Sequence, residues 1–265
     1  MSDKPAGKIE FVIDGPIARL NIDNPARRNA MSLSMWLAVA DAMSTVAERP
    51  DVRVVVMRGV GEKSFVSGAD ISEFESQRSS EAGVKAYGEA VALAQGRLAQ
   101  CAVPVIANIH GICMGGGLGL AMSCDLRYCT TTTKFRMPAA RLGLGYGFSG
   151  MEQLVSVVGA ARAADVFYTA RIFDGLEAQR ISLVHQAAAA DALDELVESI
   201  ANDIATNAPL TIKAAKLAIR AAVADPENRP HKEINRAVQA CFDSEDYIEG
   251  RKAFLEKRTP NFKGA

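Results

Sequence analysis

The chain has 265 residues, of which 49% are hydrophobic, so it is long enough to bury one substantial core. Its 30 basic and 31 acidic residues give a formal net charge of −1, which supplies no general attraction to nucleic acid or to an anionic membrane. The first residues lack the apolar run of a secretory signal, and no stretch reaches the ~18–20 apolar residues of a membrane span. We therefore expect a cytoplasmic protein that binds neither nucleic acid nor membrane.

Alternating apolar and polar residues near the start of the chain predict a β-hairpin. The pattern runs through residues 9–13 and 17–22, with Asp14-Gly15 between the two strands. Asn24-Pro25 ends it, and apolar residues at helical spacing then predict a helix over residues 35–46.

Strands and helices alternate in the middle of the chain. The compact β-branched run at 54–57 is typical of a strand buried on both faces. Residues 82–100 predict a helix, and residues 103–109 predict a second buried strand. A glycine cluster and the apolar stretch 118–122 follow. A strand, a turn and a helix in this order place ligands at the strand's carboxyl end and the helix N-terminus.

From about residue 150 the pattern becomes nearly all helical. Alanine-rich stretches lie at 161–164, 187–192 and 214–222. We expect the last helix to run from 234 to 256, ahead of a basic tail that contains a proline.

The cysteines and histidines do not predict a metal or redox site. The five cysteines are odd in number and show no paired CxxC spacing, so most of them are interpreted as small buried apolar residues. The three histidines lie far apart in sequence, which argues against a metal site. The cysteines are Cys101, Cys113, Cys124, Cys129 and Cys241.

Two glycine-bearing segments contain the residues that indicate chemistry. The first is SFVSGADISEF at 64–74, and the second is 104–125 with HGICMGGG at 110–117. Glycines between a strand and a helix let backbone amides approach a ligand, and the helix dipole adds partial positive charge there. Such a turn would stabilise an oxyanion. The glycine run alone favours simple packing or turn chemistry, and only its combination with the first segment favours the functional interpretation.

Together these segments resemble the paired signatures of the enoyl-CoA hydratase/isomerase (crotonase) superfamily. NPARRNA at 24–30 and AFLEKR at 253–258 add to the resemblance, which spans about residues 8 to 264. It implies an α/β fold with a crotonase-like spiral of repeated ββα units over 1–195. A C-terminal helical region over 196–265 would drive assembly into a homotrimer or a dimer of trimers. The resemblance also implies an acyl-CoA thioester as substrate and no separate cofactor or metal, because coenzyme A is part of the substrate.

The resemblance also assigns roles to individual residues. The backbone amides of Ala69 and Gly116 would form an oxyanion hole for a thioester enolate. Backbone groups around 67–72 would hold coenzyme A, a basic residue would approach its phosphates, and two C-terminal residues would contact the nucleotide of a neighbouring subunit. The residues assigned to coenzyme A are Arg28, Ser67, Ala69, Asp70, Ile71, Ser72, Phe254 and Lys257.

The sequence departs from the family pattern where hydratases carry two glutamates that position and activate water. The first position is Gly119 and the second is Ala139, and neither residue transfers protons. The carboxylate of dienoyl isomerases and some dehalogenases would fall at Gly147. The sequence therefore argues against ordinary two-glutamate hydration, although the oxyanion residues are intact.

Tyr146 is the remaining candidate for a reacting side chain. LGLGYGFSG at 142–150 resembles the loop of methylmalonyl-CoA decarboxylases, which carry a tyrosine here, although the histidine of their first signature is Ala69 in this chain. Tyr146 would orient a carboxylate or donate a proton, or it simply packs the loop with its hydroxyl in water. Ser149 and Glu152 are weaker candidates, the latter because it is expected in a helix's first turn.

Other polar residues near the two segments favour structural roles. His110 is interpreted as a hydrogen-bonded histidine at the turn, and Asp125 and Arg127 as polar contacts behind the site. The Ser67 hydroxyl lacks a base and acid to activate it as a nucleophile.

Three hypotheses about function remain open. The leading one is an acyl-CoA enzyme, a hydratase-like lyase or an isomerase, whose acid–base set is altered. The second is an enzyme similar to methylmalonyl-CoA decarboxylase that uses Tyr146. The third is a non-catalytic acyl-CoA-binding protein.

Overall fold

The structure is a computed structural model that describes residues 6–70 and 81–265. Within these residues the strands are short, and most of those after the hairpin have five residues or fewer. They are Lys8–Asp14 (β1), Ile17–Asp23 (β2), Val54–Gly59 (β3), Ser64–Val66 (β4), Val105–Ile109 (β5), Ile112–Met114 (β6), Leu126–Thr130 (β7), Lys134–Arg136 (β8) and Gln186–Ala188 (β9).

Helices alternate with the strands and then dominate the C-terminal part. The α-helices are Leu33–Ala47 (α1), Glu81–Gln100 (α2), Gly116–Met122 (α3), Phe148–Val158 (α4), Ala160–Thr169 (α5), Gly175–Arg180 (α6), Leu193–Thr206 (α7), Pro209–Val223 (α8), His231–Phe242 (α9) and Glu245–Glu256 (α10). Short 3-10 helices lie at Pro25–Arg27, Ala139–Arg141 and Pro226–Asn228.

The strands form two sheets. The larger has the order β1-β2-β3-β5-β7-β9, in which only the hairpin β1-β2 is antiparallel. The smaller sheet, β4-β6-β8, is parallel. Each of β3, β5 and β7 is followed by a strand of the smaller sheet, and the next described α-helices are α2, α3 and α4. This is the repeated ββα unit that the sequence predicted.

The β-branched run in β3 is buried on both faces, as predicted. Val55 and Met57 belong to the large core that also contains Trp36, Phe65 and Phe135. Val54 and Val56 face the other way, into a second core formed with α7. Because successive side chains of a strand point to opposite faces, a strand covered on both sides shows a continuous apolar run.

The hairpin is confirmed, with Asp14 paired to Ile17. The second buried strand begins at Val105, two residues later than predicted. One long helix over 234–256 is wrong: α9 ends at Phe242, and the Ser244 side chain accepts a hydrogen bond of 3.1 Å from the Tyr247 N–H to begin α10. A serine at an N-cap satisfies a first-turn N–H, so it starts a new helix.

The division of the chain at residue 195 remains a prediction. Helix α7 extends from 193 to 206, across that position, and packs its apolar face on the larger sheet. Of the five cysteines, four are buried, as expected, and Cys241 is partly exposed. In the parts of the chain that the structure describes, no helix is long and apolar enough to cross a membrane.

Candidate active site

Residues 67–70 follow β4 and run beside Met31. The Met31 N–H donates to the Gly68 carbonyl at 2.9 Å, and the Asp70 N–H donates to the Met31 carbonyl at 2.9 Å. In such a parallel bridge the intervening residue, Ala69, turns its own N–H away from Met31. Within 6–70 and 81–265 this N–H donates no hydrogen bond. The Ala69 N–H is therefore a free backbone donor.

A second free donor lies where α3 begins. Gly116 is the first residue of α3, so its N–H has no acceptor within the helix. Its neighbour Gly115 donates to the Arg136 carbonyl at 3.0 Å and has φ 52°, which glycine adopts without strain. No described residue accepts a hydrogen bond from the Gly116 N–H.

Close backbone contact brings the two segments together. Val66 of β4 pairs with Cys113 of β6. A Cβ added at Gly117 would lie only 2.3 Å from the Val66 carbonyl oxygen, and one added at Gly68 would lie 3.7 Å from the Met114 carbonyl oxygen. Glycine at 117 therefore permits α3 to start directly against the end of β4, next to the segment that contains Ala69.

A buried aromatic pair supports both segments from behind. The Trp36 ring lies 3.3 Å from the point where a Cβ on Gly116 would stand. Its Nε1–H donates to the Tyr87 hydroxyl at 2.8 Å, and that hydroxyl donates to the Met31 carbonyl at 3.2 Å. The sequence interpretation missed this pair. The only signal was that Trp36 is the sole tryptophan of the chain.

Three residues assigned to coenzyme A meet at one edge of this region. The Ser67 N–H donates to the Arg28 carbonyl at 3.2 Å, and Arg28 is exposed with φ 53°. Asp70 is buried and accepts a 2.5 Å hydrogen bond from Arg27. The sequence analysis missed Arg27, although it directly precedes Arg28. The Ser67 hydroxyl donates to the Arg27 carbonyl at 3.3 Å, which fits a structural role.

The other assigned residues are not brought together with these. Ile71 and Ser72 lie outside the described residues. Phe254 is 84% exposed on α10, and Lys257 follows that helix with φ 55°. In the described ranges, no hydrogen bond joins either of them to residues 67–70 or 115–119. Their contact with a neighbouring subunit stays a prediction.

The two positions that the sequence resemblance assigns to glutamates, Gly119 and Ala139, lie beside the glycine turn. Gly119 follows Gly116 by three residues, so both lie on one face of α3. A Cβ on Gly119 would be 2.7 Å from Nε2 of Gln95 and 3.9 Å from the Tyr146 hydroxyl. Ala139 is buried directly after Pro138, which lies against Gly115. The space beside Gly119 is thus occupied by Gln95, a residue that the sequence interpretation missed.

Tyr146 is held by its ring, and its hydroxyl is directed to this space. The ring contacts Phe167 edge-on at 5.5 Å and covers Gly150, where an added Cβ would be 2.4 Å from Cε1. Burial raises the pKa of the Tyr146 hydroxyl above its usual value. The hydroxyl is therefore protonated at neutral pH and available as a hydrogen-bond donor.

Among the residues that the structure describes, two neutral polar side chains lie beside Gly119. Ser123 donates to the Gly119 carbonyl at 2.9 Å, and Gln153 donates to the Ser123 hydroxyl at 3.0 Å. Gly147 is exposed at the N-cap of α4. Glu152 is exposed in the second turn of that helix, so its predicted place in the first turn is wrong.

The hydrogen-bonded contacts predicted for three residues are confirmed. His110 is buried and its Nε2 lies 2.8 Å from a carboxylate oxygen of Asp194. Asp125 accepts a hydrogen bond of 2.6 Å from Lys216. Arg127 is buried and donates to backbone carbonyls at 2.6 and 2.7 Å.

Comparisons with known proteins agree with this architecture. The family model described as enoyl-CoA hydratase/isomerase matches residues 13–265. A crotonyl-CoA hydratase of Syntrophomonas wolfei is 34% identical, over 93% of this chain and 94% of its own. A short-chain-enoyl-CoA hydratase of Clostridium acetobutylicum is 33% identical, over 92% and 93%. The crystal structure of an enoyl-CoA hydratase/carnithine racemase from Magnetospirillum magneticum is similar with a TM-score of 0.92 and 36% identity, covering 97% and 96% of the two chains. The predicted superfamily and its fold are confirmed.

Proposed function

The chain belongs to the enoyl-CoA hydratase/isomerase family, and we propose that it is an enzyme that stabilises a thioester enolate between the N–H groups of Ala69 and Gly116. One observation carries the proposal. Both N–H groups lack an acceptor among the described residues, and they belong to segments that the contact at Gly117 holds side by side. A bound thioester would supply the missing acceptor through its carbonyl oxygen.

The two donors would act on charge that builds during the reaction. Adding water to a conjugated thioester, shifting its double bond, or removing an adjacent carboxylate each passes through an enolate whose charge gathers on the thioester oxygen. Fixed N–H donors meet that charge without reorganisation, and losing one such donor costs roughly 2.7–4 kcal/mol in other enzymes. The N-terminus of α3 adds a partial positive charge at the same place.

The identity of the reaction depends on the space beside Gly119. Two relatives are named as hydratases of crotonyl-CoA and short-chain enoyl-CoA, so hydration or isomerisation of a short 2-enoyl-CoA is the first activity to test. Neither Gly119 nor Ala139 can activate water, so such a reaction would use a different proton-transfer group.

Decarboxylation is the second candidate, and the neutral side chains that the structure describes beside Gly119 favour it. When a malonyl-type thioester loses CO2, the electrons of the broken C–C bond form the enolate directly, so no base is needed. The α carbon then takes a proton from Tyr146 or water. The Tyr146 hydroxyl lies 3.9 Å from the point where a Cβ on Gly119 would stand. Two glutamates near a substrate carboxylate would repel it.

Coenzyme A would lie along the edge formed by Arg28, Ser67 and Asp70. The exposed Arg28 guanidinium would approach the phosphates of coenzyme A. The backbone from residue 67 onward would contact the rest of the coenzyme A part of the substrate. We further propose a homotrimer or a dimer of trimers in which Phe254 and Lys257 of one subunit reach the nucleotide on the next. The 84% exposure of Phe254 supports this arrangement.

Binding and donor removal together test the proposal. Isothermal titration calorimetry should detect binding of butyryl-CoA and crotonyl-CoA. Gly116→Pro removes the donor while proline remains compatible with the first helical position, and Gly116→Ala adds a Cβ but keeps the N–H. We expect Gly116→Pro to lower kcat by about 10²–10³-fold relative to Gly116→Ala, on whichever crotonyl- or malonyl-type substrate is turned over.

Two outcomes would contradict the proposal. If no acyl-CoA binds, the acyl-CoA assignment is wrong, and if both Gly116 variants lose the same activity, the oxyanion role is wrong. The non-catalytic alternative makes a separate prediction. The double variant Gly119→Glu, Ala139→Glu would then hydrate crotonyl-CoA, whereas the parent would turn over no thioester in a broad panel.

A further inference from the structure

Gln95 occupies the space in which the first glutamate of the family pattern would begin. It lies in α2, half-buried, and its Nε2 is 2.7 Å from the ideal Cβ position of Gly119. A Cβ at position 119 would meet only the far end of the flexible Gln95 side chain. Because residue 119 is glycine, the Gln95 amide can lie in this space. No hydrogen bond joins the Gln95 carboxamide to any residue that the structure describes.

The geometry of α3 puts this space next to the proposed oxyanion hole. Side chains of a helix lean toward its N-terminus, so the position above Gly119 lies over the turn that starts at Gly116. A thioester whose oxygen accepts from the Gly116 N–H would place its acyl carbons along this face. The Tyr146 hydroxyl approaches the same point to 3.9 Å. Gln95 and Tyr146 thus face the acyl group from two different elements.

The two side chains offer neutral donors to one ligand group. A carboxamide has two N–H donors and a phenol has one O–H donor, whereas a carboxylate accepts up to about four hydrogen bonds. Two other polar side chains beside Gly119 in the described part of the chain, Ser123 and Gln153, are bonded to each other and to the Gly119 carbonyl. The Gln95 and Tyr146 side chains have no hydrogen bond among the described residues, so both are available to a substrate.

We propose that Gln95, together with Tyr146, is a specificity-determining residue that selects acyl-CoA thioesters bearing an anionic group on the acyl carbon next to the thioester. This inference rests on the proposed function, because it assumes that the thioester oxygen lies at Ala69 and Gly116. Hydrogen bonds to a charged acceptor are shorter and stronger than those between neutral groups, so the selection favours a carboxylated over an alkyl thioester.

Binding of an unreactive anionic thioester tests the inference. Sulfoacetyl-CoA carries a sulfonate that cannot leave as CO2, and butyryl-CoA has an uncharged chain. We expect the wild type to bind sulfoacetyl-CoA more tightly than butyryl-CoA. Gln95→Leu, which keeps the bulk and removes the donors, should weaken sulfoacetyl-CoA binding by about 10-fold and butyryl-CoA binding by less than about 2-fold. Gln95→Glu should weaken sulfoacetyl-CoA binding further, through repulsion.

A matched control and two contrary results make the test decisive. Gln100→Leu changes an exposed glutamine at the end of the same helix and should leave both dissociation constants unchanged. If Gln95→Leu alters both ligands equally, or neither, Gln95 does not determine specificity. If the wild type binds neither thioester, the proposed function itself fails. Thermal unfolding of each variant separates these results from loss of folding.

Discussion

The two halves of the candidate site are built from different parts of the chain. The donor half consists of main chain at 66–70 and 112–117, held by strand pairing and by a contact that only glycine allows. The proposed proton-transfer half consists of side chains around Gly119 and of the loop 142–148, where Leu142 is 64% and Phe148 is 80% exposed. Main-chain donors are positioned by the fold itself, so the side-chain half can change without moving them.

This contrast predicts that substitutions that disturb the packing of the donor half cost folding stability, whereas those in the other half cost activity or specificity with little loss of stability. Gly117→Ala should have the largest effect. Its Cβ would lie 2.3 Å from the Val66 carbonyl oxygen, which is a backbone atom, so rotation of a side chain cannot relieve the contact. We expect the free energy of unfolding to fall by about 3 kcal/mol, measured by chemical denaturation.

Gly119→Ala is the matched control, on the same helix and two residues later. Its Cβ would meet only the end of the Gln95 side chain, which can rotate away. The gain in helix propensity offsets the contact, so the free energy of unfolding should change by less than about 1 kcal/mol. Equal destabilisation by Gly117→Ala and Gly119→Ala would mean that the two halves of the site are equally rigid.

Tyr87→Phe should have an intermediate effect on the donor half. The change leaves the buried Trp36 Nε1–H without its acceptor and removes one donor to the Met31 carbonyl. An unsatisfied buried donor costs about 1–3 kcal/mol, so denaturation should show a loss of about 2 kcal/mol. Tyr168→Phe, at a tyrosine that is 79% exposed, should change stability by less than about 0.5 kcal/mol.

A further measurement tells whether the hydrogen-bonded network of Trp36, Tyr87 and Met31 positions the Ala69 and Gly116 N–H groups. If Tyr87→Phe also lowers kcat on a thioester substrate while KM is nearly unchanged, the network supports the oxyanion hole, as the contact of Trp36 with the Gly116 position suggests. A stability loss with unchanged kcat would limit the pair to a role in core packing.

The sequence predicted the parts of this fold that depend on local patterns. Alternation gave the hairpin, with its turn after Asp14, and the continuous run at 54–57 gave a strand buried on both faces. The glycine turn before α3 was located because glycine, strand and helix follow one another directly in sequence. These features need no knowledge of distant contacts.

The sequence could not predict features that depend on contacts between distant segments. Gln95 meets Gly119 across 24 positions, and Trp36 meets Tyr87 across 51. Each residue alone fits a helix face, and only the packed structure shows which space it fills. The break between α9 and α10 was missed for another reason: the apolar spacing continues across it, and a single serine cap decides the boundary.

The smallest expected effect on stability belongs to Tyr146→Phe, in the proposed proton-transfer half. The ring contacts with Phe167 and Gly150 remain, so the free energy of unfolding should change by less than about 0.5 kcal/mol. Loss of the hydroxyl donor should nevertheless lower kcat/KM on a malonyl-type thioester by about 10-fold.

The pH dependence of the rate difference between wild type and Tyr146→Phe tests whether the protonated hydroxyl is the acting group. Burial raises the pKa of Tyr146 above its usual value of about 10, so the hydroxyl stays protonated throughout the neutral range. The ratio of wild-type to Tyr146→Phe rates should therefore be constant from about pH 6 to 9 and should fall only above about pH 10, as the donor ionises. A ratio that instead rises through this range would indicate that the tyrosinate acts as a base, and Tyr146 would then not be the donor proposed for this half of the site.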